Sequence, residues 1–139
     1  MTYRVLIVCT ANSARSQMAE GLLRRLGGDK FEVFSAGAIP SQVNPFAIQA
    51  MSERGIDISK HISDSIERYL HQSFDYVITV CDKAAETCPV FPGKAERIHW
   101  SFPDPAAVAG DDAEVLASFI QVRNGLEEKL AGFIAEVSL

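Results

Sequence analysis

Short apolar runs alternate with stretches of helical periodicity along the first third of the chain. The first run, Arg4–Cys9, contains four consecutive aliphatic residues and predicts a buried strand. Apolar residues three and four positions apart follow it and predict a helix that ends at Gly27-Gly28. A second strand is then predicted at Phe31–Ser35, and Gly37 ends it.

The rest of the chain continues this alternation. Asn44 followed by Pro45 predicts the N-cap and first turn of a helix that runs to Gly55. Asp64 and Glu67 resemble a capping box and predict a short helix. The remaining predicted elements are strands at Tyr76–Cys81 and Glu96–Trp100 and a long final helix from Asp111 onward.

Strands that alternate with helices predict a parallel sheet. We therefore expect an α/β fold, a single domain over residues 1–139, with a four-stranded parallel sheet flanked by helices on both faces. Ligands of such sheets bind beyond the carboxyl ends of the strands. Cys9 and Cys81 each end a predicted strand, so we expect them to face one crevice although they are far apart in sequence.

Composition narrows the classes of function. The 139 residues carry a formal net charge of −5, which argues against nucleic acid or an anionic membrane as the partner. No apolar run approaches the roughly 20 residues of a membrane span, and the first run is too short for a signal peptide. We expect a cytoplasmic monomer whose three cysteines serve chemistry or burial rather than a disulfide framework.

The segment between the first strand and the first helix combines a thiol, small residues and an arginine. Backbone N–H groups at a helix N-terminus, together with the helix dipole, form an anion site. Asn12 tolerates a left-handed turn, and Arg15 offers a planar fork for two oxygens of a tetrahedral oxyanion. The positive field of the helix N-terminus and of Arg15 also favours the thiolate of Cys9, to which Ser16 can donate a hydrogen bond. The candidate oxyanion-binding loop comprises Cys9, Thr10, Ala11, Asn12, Ser13, Ala14, Arg15 and Ser16.

Each candidate residue also has a structural interpretation. Cys9 could be a packing cysteine, although the strand before it and the small residues after it favour a nucleophile. Cys81 and Cys88 have three interpretations. They form a redox relay, they are a packing cysteine at a strand end and a loop thiol without a role, or they bind zinc as a pair. Their spacing exceeds the two to four residues usual in structural zinc pairs, and no histidine follows at finger spacing. Asp104, which lies between two prolines, is either a turn residue or a proton donor.

These motifs resemble a known family. Cys9-x5-Arg15-Ser16 after a first strand, with Asp104-Pro105 late in the chain, resembles the low-molecular-weight protein tyrosine phosphatases. The segments VCTANSARSQMAEG, SAG, VCDKAAETCP and HWSFPDPA are more similar to the phosphatase-like arsenate reductases coupled to thioredoxin, and they occur in that family's order. Ala11 stands where glycine is frequent in the family, and Ala14 stands where some members have a cysteine.

The resemblance implies reduction of arsenate to arsenite, an activity of arsenical resistance. Arsenate binds in the loop beside Arg15, Cys9 attacks the arsenic, and Asp104 protonates the leaving oxygen. Cys81 then attacks Cys9, which releases arsenite and forms a Cys9–Cys81 disulfide. Cys88 next attacks Cys81 and leaves a Cys81–Cys88 disulfide for thioredoxin. Phosphate and sulfate are expected to compete for the loop.

Further expectations concern the cofactor, the reductant and the alternatives. Some family members hold a structural potassium ion around positions that match Asn12, Glu20, Ser35 and Asp64; no other cofactor is expected. A final disulfide within the chain favours thioredoxin over a glutaredoxin-type reductant. One alternative is a protein tyrosine phosphatase, although Ala106-Ala107 provides no aromatic wall for phosphotyrosine. The other is a non-catalytic zinc-binding or thiol-sensing module.

Overall fold

One parallel sheet positions the site. In the computed structural model of the chain, which describes residues 2–82 and 89–137, four strands lie in the order β2-β1-β3-β4, and all three pairings are parallel. The strands are β1 (Tyr3–Cys9), β2 (Phe31–Gly37), β3 (Tyr76–Thr79) and β4 (Glu96–His99). The α-helices are α1 (Arg15–Gly27), α2 (Pro45–Ser52) and α3 (Asp112–Val137). The predicted four-stranded parallel sheet is confirmed.

Two apolar clusters lie on opposite faces of the central strand β1. Val5 and Ile7 point into the larger cluster, to which α1, α2 and α3 all contribute side chains. Leu6 and Val8 point into the smaller one, which includes Tyr69 from a 3-10 turn at Ile66–Tyr69. All four β1 residues are fully buried, and this explains the uninterrupted apolar run in the sequence.

Several predicted boundaries differ from the structure: β1 begins at Tyr3, β2 extends to Gly37 and β4 ends at His99, and three further differences follow. The short helix is a single 3-10 turn, and its N-cap is Ser65, which accepts from the Glu67 backbone N–H at 3.2 Å. The carboxylate of Asp64, the predicted cap, instead accepts hydrogen bonds from the Arg68 and Tyr69 side chains. The capping-box prediction is therefore wrong.

The other two differences concern element ends. Strand β3 ends at Thr79, level with the end of β4, so Cys81 lies two residues beyond the strand rather than in it. Helix α2 ends at Ser52, and a turn then reaches Gly55, whose φ of 69° places it in the left-handed region. Within the described residues no helix is long and apolar enough to cross a membrane.

Arg123 joins α3 to the end of α2. Its side chain is only 3 % exposed, and its guanidinium donates to the Ala50 carbonyl at 2.7 Å and to Glu53 at 3.1 Å. The last carbonyls of a helix lack partners within that helix. Arg123 therefore satisfies the end of α2 and fixes the position of α2 against α3.

We expect Arg123→Met to destabilise the fold by about 1–3 kcal/mol, because the buried Ala50 carbonyl loses its donor while the apolar stem is kept. Lys129→Met, an exposed change on the same helix, is the matched control and should stay within about 0.5 kcal/mol of wild type. Urea unfolding followed by circular dichroism measures both. Equal stability of the two variants would contradict the role of Arg123.

The raised pKa of Tyr69 predicts that the protein loses stability at alkaline pH. Burial raises the pKa of its phenol to about 12, and the neighbouring Asp64 carboxylate adds to the increase. The stabilisation from the neutral phenol is complete below the unfolded-state value of about 10 and is lost as the pH rises through 12. The unfolding free energy should therefore fall more steeply above pH 10 in wild type than in Tyr69→Phe. Parallel curves for the two proteins would contradict this.

Candidate active site

The loop between β1 and α1 is held from outside by its carbonyl groups. The carbonyl oxygens of Thr10, Ala11 and Ser13 accept from the backbone N–H groups of Ile39 (2.9 Å), Ser41 (3.2 Å) and Asn44 (2.9 Å). In a trans peptide the carbonyl and the N–H point in opposite directions. Because these carbonyls point away from the loop centre, the N–H groups of the same peptides point towards it. An oxyanion site at the start of a helix requires N–H groups with this orientation.

The reversal of the loop occurs at Asn12. Its φ is 48°, and among the described non-glycine residues it alone has a positive φ. Asn12, which the sequence shows only to tolerate such a turn, adopts it here. Ala11, the departure from the family pattern, does not need this conformation. The turn lies against Gly37 at the end of β2, where a Cβ atom would meet the Asn12 nitrogen and the Thr10 carbonyl oxygen at 2.7 Å.

Buried hydrogen bonds lead from Asn12 to the thiol. The Asn12 side chain is fully buried; its Oδ1 accepts from the Asp64 backbone N–H at 2.8 Å, so its Nδ2 faces Ser16 and Ser35. The Ser16 hydroxyl receives one Nδ2 hydrogen at 2.8 Å and lies 2.8 Å from the Cys9 sulfur. Either group can be the donor in this contact, and when Cys9 is a thiolate only the Ser16 hydroxyl can donate. Donation from Ser16 stabilises the thiolate.

Arg15 connects the loop to the segment that carries Asp104. Its guanidinium is 5 % exposed and donates to the Phe102 carbonyl at 3.0 Å. Asp104, two residues further on, is half-buried and accepts from the Ala106 backbone N–H at 3.0 Å. The structure therefore brings the Asp104 segment against the oxyanion loop. The turn-forming interpretation of Asp104 is confirmed, since its side chain caps a 3-10 turn at Pro105–Ala107, and the proton-donor role stays a prediction.

The second cysteine lies at the same edge of the sheet. The Val80 backbone N–H donates to the Val8 carbonyl at 3.0 Å, so the chain is still beside β1 when it reaches Cys81. Cys81 is fully buried and disulfide-bonded, whereas Cys9 is a buried free thiol. Both cysteines thus lie at one edge of the sheet, and the prediction that they face one crevice stays a prediction. Cys88 lies outside the described residues.

The residues predicted around a potassium ion do come together, but their oxygens already have partners. The Ser35 hydroxyl donates to Glu20 Oε1 at 2.6 Å, and Glu20 Oε2 pairs with Arg24 at 3.0 Å. The Asp64 carboxylate pairs with Arg68 at 2.9 Å. Two arginines thus supply the positive charge that a cation would bring. This arrangement does not fit a potassium ion, and we assign no step to one.

Metal binding by other clusters has no support in the parts of the chain that the structure describes. There, no group of three histidine, cysteine or acidic side chains could hold a metal ion. The zinc alternative would also involve Cys88, which lies outside those parts.

Two residues of the site were missed by sequence reasoning. Gly37 was interpreted only as a strand end, and Gln17 only as part of the first helix. Gln17 is fully buried and its amide donates to the Asn12 carbonyl and side chain at 3.2 and 3.0 Å. The available signal was a polar residue in the first turn of a helix whose other side chains pack in the core.

Comparison with known proteins now adds to this geometry. A family model described as low molecular weight phosphotyrosine protein phosphatase matches residues 4–139. The chain belongs to this family. A curated relative from Halalkalibacterium halodurans, named arsenate reductase, is 46 % identical over 129 residues, which is 93 % of each chain.

Solved structures extend the comparison. A structure described as an arsenate reductase in the phosphate binding state has a TM-score of 0.79 and 36 % identity, with 98 % of each chain covered. A Corynebacterium glutamicum structure, described as a thioredoxin-dependent arsenate reductase, has a TM-score of 0.64 and 27 % identity. The match covers 94 % of this chain and 62 % of the Corynebacterium glutamicum chain. The fold is therefore that of the family.

The close approach of Gly37 to the loop generates a prediction. Gly37→Ala should weaken phosphate binding at least about tenfold, because a Cβ clashing with loop backbone must displace the N–H groups of the loop. Gly132→Ala is the matched control, since a Cβ there has no atom within 4 Å. Isothermal titration with phosphate measures the effect. Unchanged affinity in Gly37→Ala would show that the loop does not depend on this contact.

Proposed function

We propose that this protein is an arsenate reductase that converts arsenate to arsenite through a thiol–disulfide relay. The proposal rests on one observation above all. A free, buried Cys9 in an anion-binding loop lies at the same sheet edge as a second buried cysteine that is already disulfide-bonded. A phosphatase needs only the first of these. The names of the curated and structural relatives support the same activity.

The first step would be attack on the bound oxyanion. The loop amides and the Arg15 guanidinium hold arsenate, as they would hold phosphate. The Cys9 thiolate, favoured by the Ser16 hydroxyl, forms a sulfur–arsenic bond. An arsenic–oxygen bond breaks, and the oxygen takes a proton from Asp104 and leaves as water. Asp104 is assigned this role because its segment packs on Arg15.

The second step would reduce the arsenic. The Cys81 thiolate attacks the Cys9 sulfur, a disulfide forms, and the sulfur–arsenic bond breaks. Its electron pair remains on arsenic, which passes from As(V) to As(III) and leaves as arsenite. The position of Cys81, beside the end of β1, supports this transfer.

The third step would free the nucleophile. The Cys88 thiolate attacks the Cys81 sulfur and displaces the Cys9 thiolate, and an external dithiol then returns two electrons to the new disulfide. A free Cys9 beside a disulfide-bonded Cys81 is the state expected after this displacement. We assign the external dithiol to thioredoxin, as in the thioredoxin-dependent relative from Corynebacterium glutamicum. We propose that the protein acts in the cytoplasm, where thiols are kept reduced.

A second candidate function is hydrolysis of aryl phosphates. The family and the loop favour it, because a phosphoryl group fits the same donors and Cys9 attacks phosphorus as well as arsenic. It has no use for Cys81 or Cys88. The two functions are therefore separated by the second and third cysteines rather than by the loop.

We expect arsenate-dependent oxidation of NADPH when thioredoxin and thioredoxin reductase are present. Cys81→Ser and Cys88→Ser should each lower steady-state turnover at least about a hundredfold, since the relay stops, while phosphate affinity stays within about twofold of wild type. Phosphate should inhibit without being reduced.

Controls for this assay omit thioredoxin or replace arsenate by an aryl phosphate. Full multiple-turnover reduction without Cys88 would overturn the relay. Turnover of the aryl phosphate far above that of arsenate would establish the phosphatase instead.

A further inference from the structure

Gln17, in the first turn of α1, is a fully buried side chain to which the proposed reaction assigns no part. We propose that Gln17 is a positioning residue that holds the left-handed turn at Asn12 and, through Asn12 and Ser16, the thiolate of Cys9. The inference rests on the proposed role of the loop as an oxyanion site. It does not depend on whether the bound oxyanion is reduced or hydrolysed.

The direction of each hydrogen bond around Gln17 follows from one backbone donor. The Asp64 N–H can only donate, so the atom of Asn12 that faces it is the oxygen Oδ1. The atom of Gln17 that lies 3.0 Å from this oxygen must then be the nitrogen Nε2. Gln17 Oε1 in turn faces Nδ1 of His61 at 3.0 Å, so His61 carries a hydrogen on Nδ1 and donates it.

The Nε2 amide of Gln17 donates both to the Asn12 turn and to the segment that contains Ile62. It donates to the Asn12 carbonyl at 3.2 Å and to Asn12 Oδ1 at 3.0 Å, across the turn that reverses the loop. It also donates to the Ile62 carbonyl at 3.0 Å. One amide thus contacts both the turn and the neighbouring segment.

Residues after Ile62 contact the loop as well. The Ser63 hydroxyl donates to the Ala11 carbonyl at 3.0 Å, and the Asp64 N–H donates to Asn12. Segment 61–64 therefore supports the outer side of the turn, and Gln17 fastens that segment to the helix that follows the loop.

The Asn12 turn needs this support because a left-handed φ is unfavourable for a residue with a Cβ atom. Removing the Gln17 donors would take this donor away from the buried Asn12 backbone carbonyl and would loosen the orientation of the Asn12 amide. The next bonds in the series are Asn12 Nδ2 to Ser16 and Ser16 to Cys9, both 2.8 Å. Loss at Gln17 should therefore reach the thiol, although Gln17 does not touch it.

The test compares Gln17→Met with wild type in chains that also carry Cys81→Ser and Cys88→Ser, so that Cys9 is the only thiol. Gln17→Met keeps the length of the side chain and removes its hydrogen bonds. Arg15, Glu20, His61 and Asp104, the titratable or charged groups around the loop, stay intact. We expect the pH midpoint of Cys9 alkylation by iodoacetamide to rise by about one unit, and the Kd for inorganic phosphate to rise about tenfold.

Two controls separate positioning from general destabilisation. Gln49→Met makes the same chemical change at an exposed position of α2 and should move neither measurement. Phe133→Leu lowers the melting temperature from the far end of the sheet, where Phe133 packs against Phe31 and Tyr76 at the strand starts. It too should leave the alkylation midpoint unchanged.

The outcomes are distinct. A raised midpoint and weaker phosphate binding in Gln17→Met alone support the positioning role. A midpoint that stays at the wild-type value, or one that shifts equally in Phe133→Leu, overturns it. Neither readout involves arsenate, so a failed reductase assay would leave this test unaffected.

Discussion

The left-handed turn at Asn12 is the constraint on which the rest of the site depends. It reverses the backbone within a loop whose Thr10, Ala11 and Ser13 carbonyls accept from the backbone of residues 39–44. The same residue positions the Ser16 hydroxyl, which accepts from the Asn12 amide and lies 2.8 Å from the Cys9 sulfur. One residue thus links the backbone of the loop to the surroundings of the thiol.

This turn is costly, and the surrounding structure is arranged to maintain it. Gly37 leaves space for the loop backbone, and Gln17 and Asp64 bind the Asn12 amide from two sides. Ser35 and Glu20 complete the buried network behind the loop, with Arg24 balancing the carboxylate. Local strain at a functional site is kept only where its surroundings over-determine the geometry.

The parallel sheet provides the second requirement, which is a place for a second thiol. All carboxyl ends of parallel strands lie at one edge, so Cys9 after β1 and Cys81 after the neighbouring β3 share it. The loop alone suits phosphate chemistry and arsenate chemistry equally. The adjacent cysteine is what favours reduction, since it gives an oxidised sulfur a partner.

The sequence alone determined the order of elements and the position of the loop between β1 and α1, because these follow from local patterns of spacing and size. Tertiary structure decided that Ser65 rather than Asp64 caps the 3-10 turn, since Asp64 pairs with Arg68. It also decided the supporting role of Gln17, whose acceptors include a carbonyl 45 positions away. Such long-range partners meet only when the chain packs, so no local sequence pattern predicts them.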